Sequence, residues 1–254
     1  MKVHVAHPYL RNPPHKITVA VAGIGGTGSQ VLTGLGRINE ALLSMGHPGL
    51  HVRAYDNDQV TSANIGRQLF STSDLGHNKA VVLTTRINRF YGLEWEAVPE
   101  IFGGQCNSNI TISCIDTAMG RVMMGMKLES VRKTRRDDPE QRLYWMDLGN
   151  LQKTGQVILG TLVPVEQPKG VKNTRANLKT VTSMFPQLKT IQEDKLGPSC
   201  SLAEALNKQD LFINSTLAQF GCGLIWKLFR EGSIRYHGCY LNLDSFIVNP
   251  IKIK

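Results

Sequence analysis

The sequence predicts an α/β fold: a Rossmann-like, mostly parallel sheet with helices on both faces, antiparallel C-terminal strands and an inserted crossover segment. Three observations predict it. Short runs rich in β-branched residues alternate with stretches whose apolar residues recur at helical spacing. A glycine-rich segment, "GIGGTGS" at 23–29, joins the first such strand to the first such helix. Acidic residues, Asp56 and Asp116, stand where two of the strands end. Strands alternating with helices imply parallel pairing, because each crossover needs a helix to return the chain to the same edge.

In chain order, a Pro-bearing leader precedes "KITVAVAG" (16–23), a buried strand. Val31, Leu32, Leu35, Ile38, Leu42 and Met45 then recur as one helical face. "LHVRAYD" (50–56) is a second strand, "NKAVVLTTRINRFYG" (78–92) a helix and "LEWEAVPE" a third strand. "NITISCID" (109–116) is a fourth strand, followed by a helix over about 118–134. "LYWMDLGN" (143–150) and "GQVILGTLVPV" (155–165) are two more strands. Residues 166–198 are polar, Lys-rich and weakly periodic, and read as an inserted crossover. A long helical region returns from Ser201, and "YHGCYLNLDSFIVNPIKI" alternates as antiparallel strands do. The expectation is a single domain over residues 1–254.

Bulk properties narrow the function. The chain is 41% hydrophobic and 19% charged, as ordinary globular proteins are. The leader lacks a signal-like apolar stretch, and the most apolar run, 211–226, carries Asn, Ser, Thr and Gln, so it reads as a buried helix. No membrane partner and a cytoplasmic location are expected. Five scattered cysteines without a C-x-x-C pair argue against a disulfide framework and against zinc. The net charge of +9 invites an anionic ligand or an acidic partner. Its densest run, "RKTRR" at 132–136, is followed at once by "DDPE" and reads as a solvated helix end, so nucleic acid is not the expected partner.

The chemistry concentrates in two places. Gly23, Gly25, Gly26 and Gly28 form G-x-G-G-x-G between a strand and a helix. That is where the backbone must turn sharply, approach phosphate and present the free N–H groups of a helix start. An acid about 20 residues on would bind ribose in a dinucleotide site. Asp56 and Asp58 lie farther along, past the turn-rich "GHPGL", and suit the ribose of NAD or ATP alike. The second place is the loop beyond them, where Asn64, Arg67 and Gln68 fall close together and Lys79 follows. Two cations and two amides suit a triphosphate whose charge shifts during reaction. Asp116, at the end of the fourth strand, suits Mg²⁺.

"GIGGTG", "DND", "NIGRQ", "GHNKA" and Asp116 with Arg121 beyond it occur in the order found in the ThiF/MoeB/ubiquitin-activating enzyme family, which the chain resembles. The overall look of the chain is similar to the ThiF-like proteins of PRTRC cassettes. The resemblance implies Gly23, Gly25, Gly26 and Gly28 at the nucleotide, Asp56 at the ribose, and Asn64, Arg67, Gln68 and Lys79 at the phosphates. It implies Mg²⁺ on Asp116. The activity implied is ATP-dependent adenylation of the C-terminal carboxylate of a ubiquitin-like or sulfur-carrier protein with a Gly-Gly tail, by a homodimer, with Arg67 and Lys79 catalytic. "PSCSL" places Cys200 before a helix start, where a thiolate is stabilised, and resembles the thioester cysteine of ubiquitin-activating enzymes. The chain departs from the family in carrying Thr117 where Asn is frequent, in lacking two C-x-x-C pairs, and in offering only Arg11 as an arginine that could cross a dimer. Two other readings stay open: an NAD(P)-dependent oxidoreductase, favoured by the glycine loop, and an inactive scaffold or nucleic-acid-binding protein, favoured by the charge.

Overall fold

A computed structural model describes residues 1–104, 107–130, 141–191, 203–204, 206 and 209–254. The leader forms β1 (His4–Val5) and the one-turn helix α1 (Pro8–Arg11). The alternating region then runs β2 (Ile17–Ala22), α2 (Gly26–Ser44), β3 (Leu50–Tyr55), α3 (Lys79–Tyr91), β4 (Glu96–Val98), β5 (Ile110–Ser113), α4 (Ala118–Glu129), β6 (Tyr144–Asn150) and β7 (Thr154–Thr161). There follow α5 (Val181–Met184), α6 (Ile213–Arg230), β8 (Ser233–Ile234), β9 (Tyr236–Asn242) and β10 (Ile247–Lys252).

Local chemistry sets several of these bounds. The Asn78 side chain accepts from Val81 N to start α3, and Gly92 ends it at φ 67°, the left-handed conformation glycine adopts without strain. Thr117 caps α4 by accepting from Gly120 N. Within α2 the expected apolar face is buried from Val31 to Leu42, but Met45 falls at the C-cap and is half exposed.

Eight strands form one sheet in the order β10-β9-β7-β6-β5-β2-β3-β4. From β4 to β6 every neighbouring pair is parallel. β7 already runs antiparallel to β6, so the antiparallel part begins before the C-terminal strands. The reason is length: residues 151–153 are too few for a crossover and suffice only for a hairpin. β1 pairs with β8 in a separate two-stranded sheet.

Alternation along the strands feeds two apolar layers. Val19 and Val21 of β2 join α2, α3 and α6 in the larger core, where Leu32, Leu35, Leu83 and Leu217 are almost fully buried. Each such side chain stabilises the fold by about 1.5–3 kcal/mol. On the other face, Ala22 and Trp145 meet Met124 and Leu128 of α4 and Val181 of α5. The predicted crossover doubles back after β7, with Val165 N donating to Ala176 O and Thr161 N to Leu178 O, and its α5 closes this second layer. The apolar run 211–226 falls largely in α6, a buried helix as expected. No helix among the described residues is long and apolar enough to cross a membrane. The basic run 132–136, Cys106 and Cys200 lie outside the described residues.

Candidate nucleotide-binding site

The sheet order reverses at β2, with β3 on one side and β5 on the other. The loops leaving the carboxyl ends of such strands diverge, and the crevice between them is where open α/β sheets bind ligands. A cavity of about 1100 Å³ lies there. It brings together Gly23, Gly25, Gly26, Asp56, Asn64, Arg67, Gln68, Lys79 and Asp116.

The glycines have separate reasons. Gly23 turns the chain at φ 87°, and a Cβ on it would stand 2.9 Å from the Cys114 carbonyl oxygen. Gly28 is not at the cavity wall; a Cβ there would fall 1.8 Å from the Gly23 carbonyl oxygen, so this glycine lets α2 close on β2. Gly26 faces Asn214 of α6, whose Nδ2 would be 2.5 Å from an added Cβ. Gly25 differs: nothing lies within 4 Å of its Cβ position. It is the N-cap of α2 and supplies no side-chain cap. The first N–H groups of that helix are thus offered to an anion beside an open backbone.

Asp56, just past β3, is buried and ties the loops together: Oδ2 accepts from Ile24 N at 2.6 Å and Oδ1 from Asp58 N at 2.8 Å. Burial pushes its carboxyl pKa up, against the pull of those N–H groups and of Lys79. Lys79 opens α3 and donates from Nζ to Asp58 Oδ2 at 2.8 Å. Asn64 spends its Oδ1 on the turn, accepting from Thr61 N at 2.8 Å. Arg67 is half-buried and donates from Nη1 to Gln209 Oε1. Burial pulls its guanidinium pKa down, and Asp116 pulls it back up.

Arg67 Nε, Gln68 Oε1 and Asn150 Nδ2 are three of the five buried side-chain polar atoms without a hydrogen-bond partner among the described residues. All three residues line this one cavity. A buried group left unpaired costs about 1–3 kcal/mol, so their clustering marks where a polar ligand would complete the structure.

Asp116 is exposed beyond the end of β5. Thr117 uses its hydroxyl as the cap of α4, accepting from Gly120 N at 3.2 Å. Arg121 turns inward, with Nε 3.2 Å from both Asp147 carboxylate oxygens and Nη2 on the Ile115 carbonyl. Burial pushes the Asp147 carboxyl pKa up, opposed chiefly by Arg121. Among the described residues no three His, Cys, Asp or Glu side chains gather as a metal site. One carboxylate beside a cavity lined by Arg67 and Lys79 fits Mg²⁺ arriving with a phosphate ligand, since this ion takes one or two carboxylates plus phosphate oxygens and water.

Several lining residues are absent from the sequence reading. Tyr55, Ile101, Phe102, Met123 and Met124 are apolar lining residues, with Tyr55 and Phe102 edge-to-face at 5.0 Å. Asn150, Gln209 and Asn214 add polar groups. The sequence signal for these is the polar residue Asn214 near the start of the apolar run; Thr27 Oγ1 donates to its Oδ1 at 2.9 Å. Cys222 and Cys239 are buried and their thiols are pushed up to about 12 and about 11. Cys114 lines the cavity, its thiol pushed up by burial and by Asp147. Arg11 packs against Gly232, past the end of α6 remote from Asn214.

Residues 14–126 match the model of the ThiF family, a span that holds every motif from Gly23 to Arg121. No curated protein sequence matches the chain. Among solved structures, PaaA is similar at a TM-score of 0.56 and 16% identity, covering 93% of this chain and 64% of that one. MccB of E. coli, solved with MccA-N7isoASN, is similar at 0.58 and 16%, covering 93% of this chain and 64% of that one. The same protein solved with ATP gives 0.58 and 14%, covering 93% and 63%. The chain thus spans less than two thirds of the length of these proteins, and the likeness is one of fold. Glycine loop, strand-end aspartates and the polar loop between them therefore lie in residues 14–126, the span that matches the ThiF family model, within a chain that has the fold of PaaA and MccB.

Proposed function

We propose that the cavity binds MgATP and that the protein is an adenylyltransferase acting on the C-terminal carboxylate of a peptide or protein. The observation that carries this is the half-buried Arg67, with an unpartnered Nε, converging with Lys79 and the open start of α2 on one cavity. The triphosphate would lie against that helix start between the two cations. Asp56 and the Asn64 Nδ2 donor would meet the ribose and phosphates, and the apolar lining residues Ile101, Phe102 and Met123 would take the base. Asp116 would hold Mg²⁺, which supplies charge neutralisation on the phosphate oxygens.

In the reaction a carboxylate oxygen attacks the α-phosphorus. An acyl–phosphate bond forms, the bond to the bridging oxygen of the β-phosphate breaks, and pyrophosphate leaves with the electron pair. Arg67 and Lys79 stabilise the charge that gathers on the departing group, so fixed electrostatics and positioning do the work. Support for a peptide or protein substrate comes from the fold shared with MccB, which has been solved in complex with N-formylated MccA. The finer reading is a ubiquitin-like or sulfur-carrier partner with a slender Gly-Gly tail, bound by a homodimer in a reducing cytoplasm. Cys200, outside the described residues, would then take the acyl group as a thioester and release AMP.

Calorimetric titration with MgATP and with NAD, on wild type and Arg67→Ala, tests the reading. MgATP binding that is lost in the variant, followed by pyrophosphate exchange dependent on a Gly-Gly protein, supports it. NAD binding indifferent to Arg67 overturns it in favour of an oxidoreductase.

A further inference from the structure

The ion pair between Lys79 and Asp58 is lopsided. The lysine side chain is 9% exposed and the aspartate 62% exposed, at 2.8 Å from Nζ to Oδ2. The backbone of Asp58 is pinned on both sides. Its N–H donates to Asp56 Oδ1 at 2.8 Å, and its carbonyl accepts from Lys79 N at 3.0 Å and from Asn78 Nδ2 at 3.2 Å. The carboxylate alone is at liberty to turn, and water would receive it at little cost. The buried ammonium cannot follow, and leaving it without an anion would be costly. Both residues line the cavity into which the glycine loop faces.

We propose that Asp58 is a resident counter-ion, exchanged for a phosphate group when a polyphosphate chain enters the cavity. It is a positioning residue that acts through Lys79. With no ligand bound it pairs with the ammonium and keeps it aimed into the site. With a polyphosphate bound it has swung to solvent, and when pyrophosphate leaves it returns to Lys79. The exchange weakens polyphosphate binding and so favours release of the leaving group. For nucleotide this rests on the MgATP reading, whereas the exchange itself requires only a polyphosphate.

The test is calorimetry on the full chain with MgATP, magnesium pyrophosphate and magnesium tripolyphosphate, using wild type, Asp58→Asn, Asp58→Ala, Lys79→Met and the Asp58→Asn/Lys79→Met double variant. Thermal melting confirms that each variant is folded. Asp58→Asn and Asp58→Ala should bind pyrophosphate and tripolyphosphate about two- to fivefold more tightly, the scale of a partly exposed ion pair. The gain should vanish when Lys79 is Met, which separates exchange from a general loss of negative charge. Unchanged or weaker binding in the Asp58 variants, a gain that persists without Lys79, or no binding of either polyphosphate to any variant overturns the proposal. Tighter polyphosphate binding with no MgATP binding to wild type would sink the adenylation reading and leave the exchange standing. MgATP binding with no Asp58 effect would do the reverse.

Discussion

Arg67 donates to the side chain of Gln209, a residue 142 positions later in the chain. The arginine of the loop after β3 is thus held by the segment just ahead of α6. Gln209 Oε1 also lies 3.3 Å from Asn214 Nδ2, so one amide oxygen ties the arginine to the helix that packs on the glycine loop.

Removing that tie should cost binding without removing the charge. Gln209→Ala is expected to raise the dissociation constant for MgATP about three- to tenfold, less than the full worth of a hydrogen bond to a charged group because the guanidinium itself remains. Arg67→Ala, which removes the charge itself, should cost about a hundredfold. Calorimetry on the two variants checks the order, and equal losses would mean that Gln209 contributes more than a tie.

Two glycines of one loop should respond in opposite ways to a single methyl group. Gly28→Ala places a carbon against the Gly23 carbonyl oxygen, a contact that only a backbone shift relieves, and should destabilise by about 3 kcal/mol. Gly25→Ala meets open space and should cost much less stability than Gly28→Ala. It should nonetheless weaken nucleotide binding, because its methyl group would stand where the phosphate approaches. Melting curves with and without MgATP read both effects. A stable Gly28→Ala protein would show that the loop relaxes.

These contrasts mark what a sequence can disclose. The glycine turn, the strand-end aspartates and the 64–79 clamp are legible because each is a local pattern with a chemical reason. The strands from Ile17 to Asn150 are legible through their β-branched and apolar runs. Ile101, Phe102, Gln209 and Asn214 are not, since they reach the cavity through long-range packing that leaves no spacing to read. The pairing of His4 with Ile234 is invisible for the same reason. Hairpin geometry decided the direction of β7, where strand character was plain and orientation was not. Asn64 shows a further limit: residue type marked it as ligand-facing, while its Oδ1 is used by the backbone of the turn.

The buried histidines predict how stability follows pH. His4 Nδ1 lies 2.7 Å from the Arg175 carbonyl, which fixes the N–H there, and Nε2 accepts from Tyr144 Oη at 2.9 Å. Burial pulls the His4 pKa below its usual 6.5, as it does for His237, which lies against the Leu159 carbonyl. Below about pH 6.5 the unfolded chain takes up these protons before the folded one does, so stability falls as pH falls toward the folded values. The urea midpoint should therefore drop between pH 7 and pH 5. In His4→Asn the drop should be smaller even though the variant is less stable at pH 7. A pH slope unchanged in this variant would assign the effect to other groups.

Arg121 and Asp147 form a pair that is almost wholly buried, with side-chain exposures of 8% and 1%. Ser113 Oγ donates to Asp147 Oδ1 at 2.7 Å and receives Trp145 Nε1 at 2.8 Å, so the network spans β5 and β6 beneath the Asp116 loop. Removing one partner strands the other charge in the interior. Arg121→Met is therefore expected to destabilise by about 3–5 kcal/mol, while Arg121→Met/Asp147→Leu should recover much of that loss. Arg121 also holds the Ile115 carbonyl, one residue before Asp116. The double variant, though folded, should thus bind MgATP more weakly than wild type. Urea unfolding and calorimetry on the same preparations separate the two effects. Full recovery of both stability and binding would show that the pair has no part in aiming Asp116.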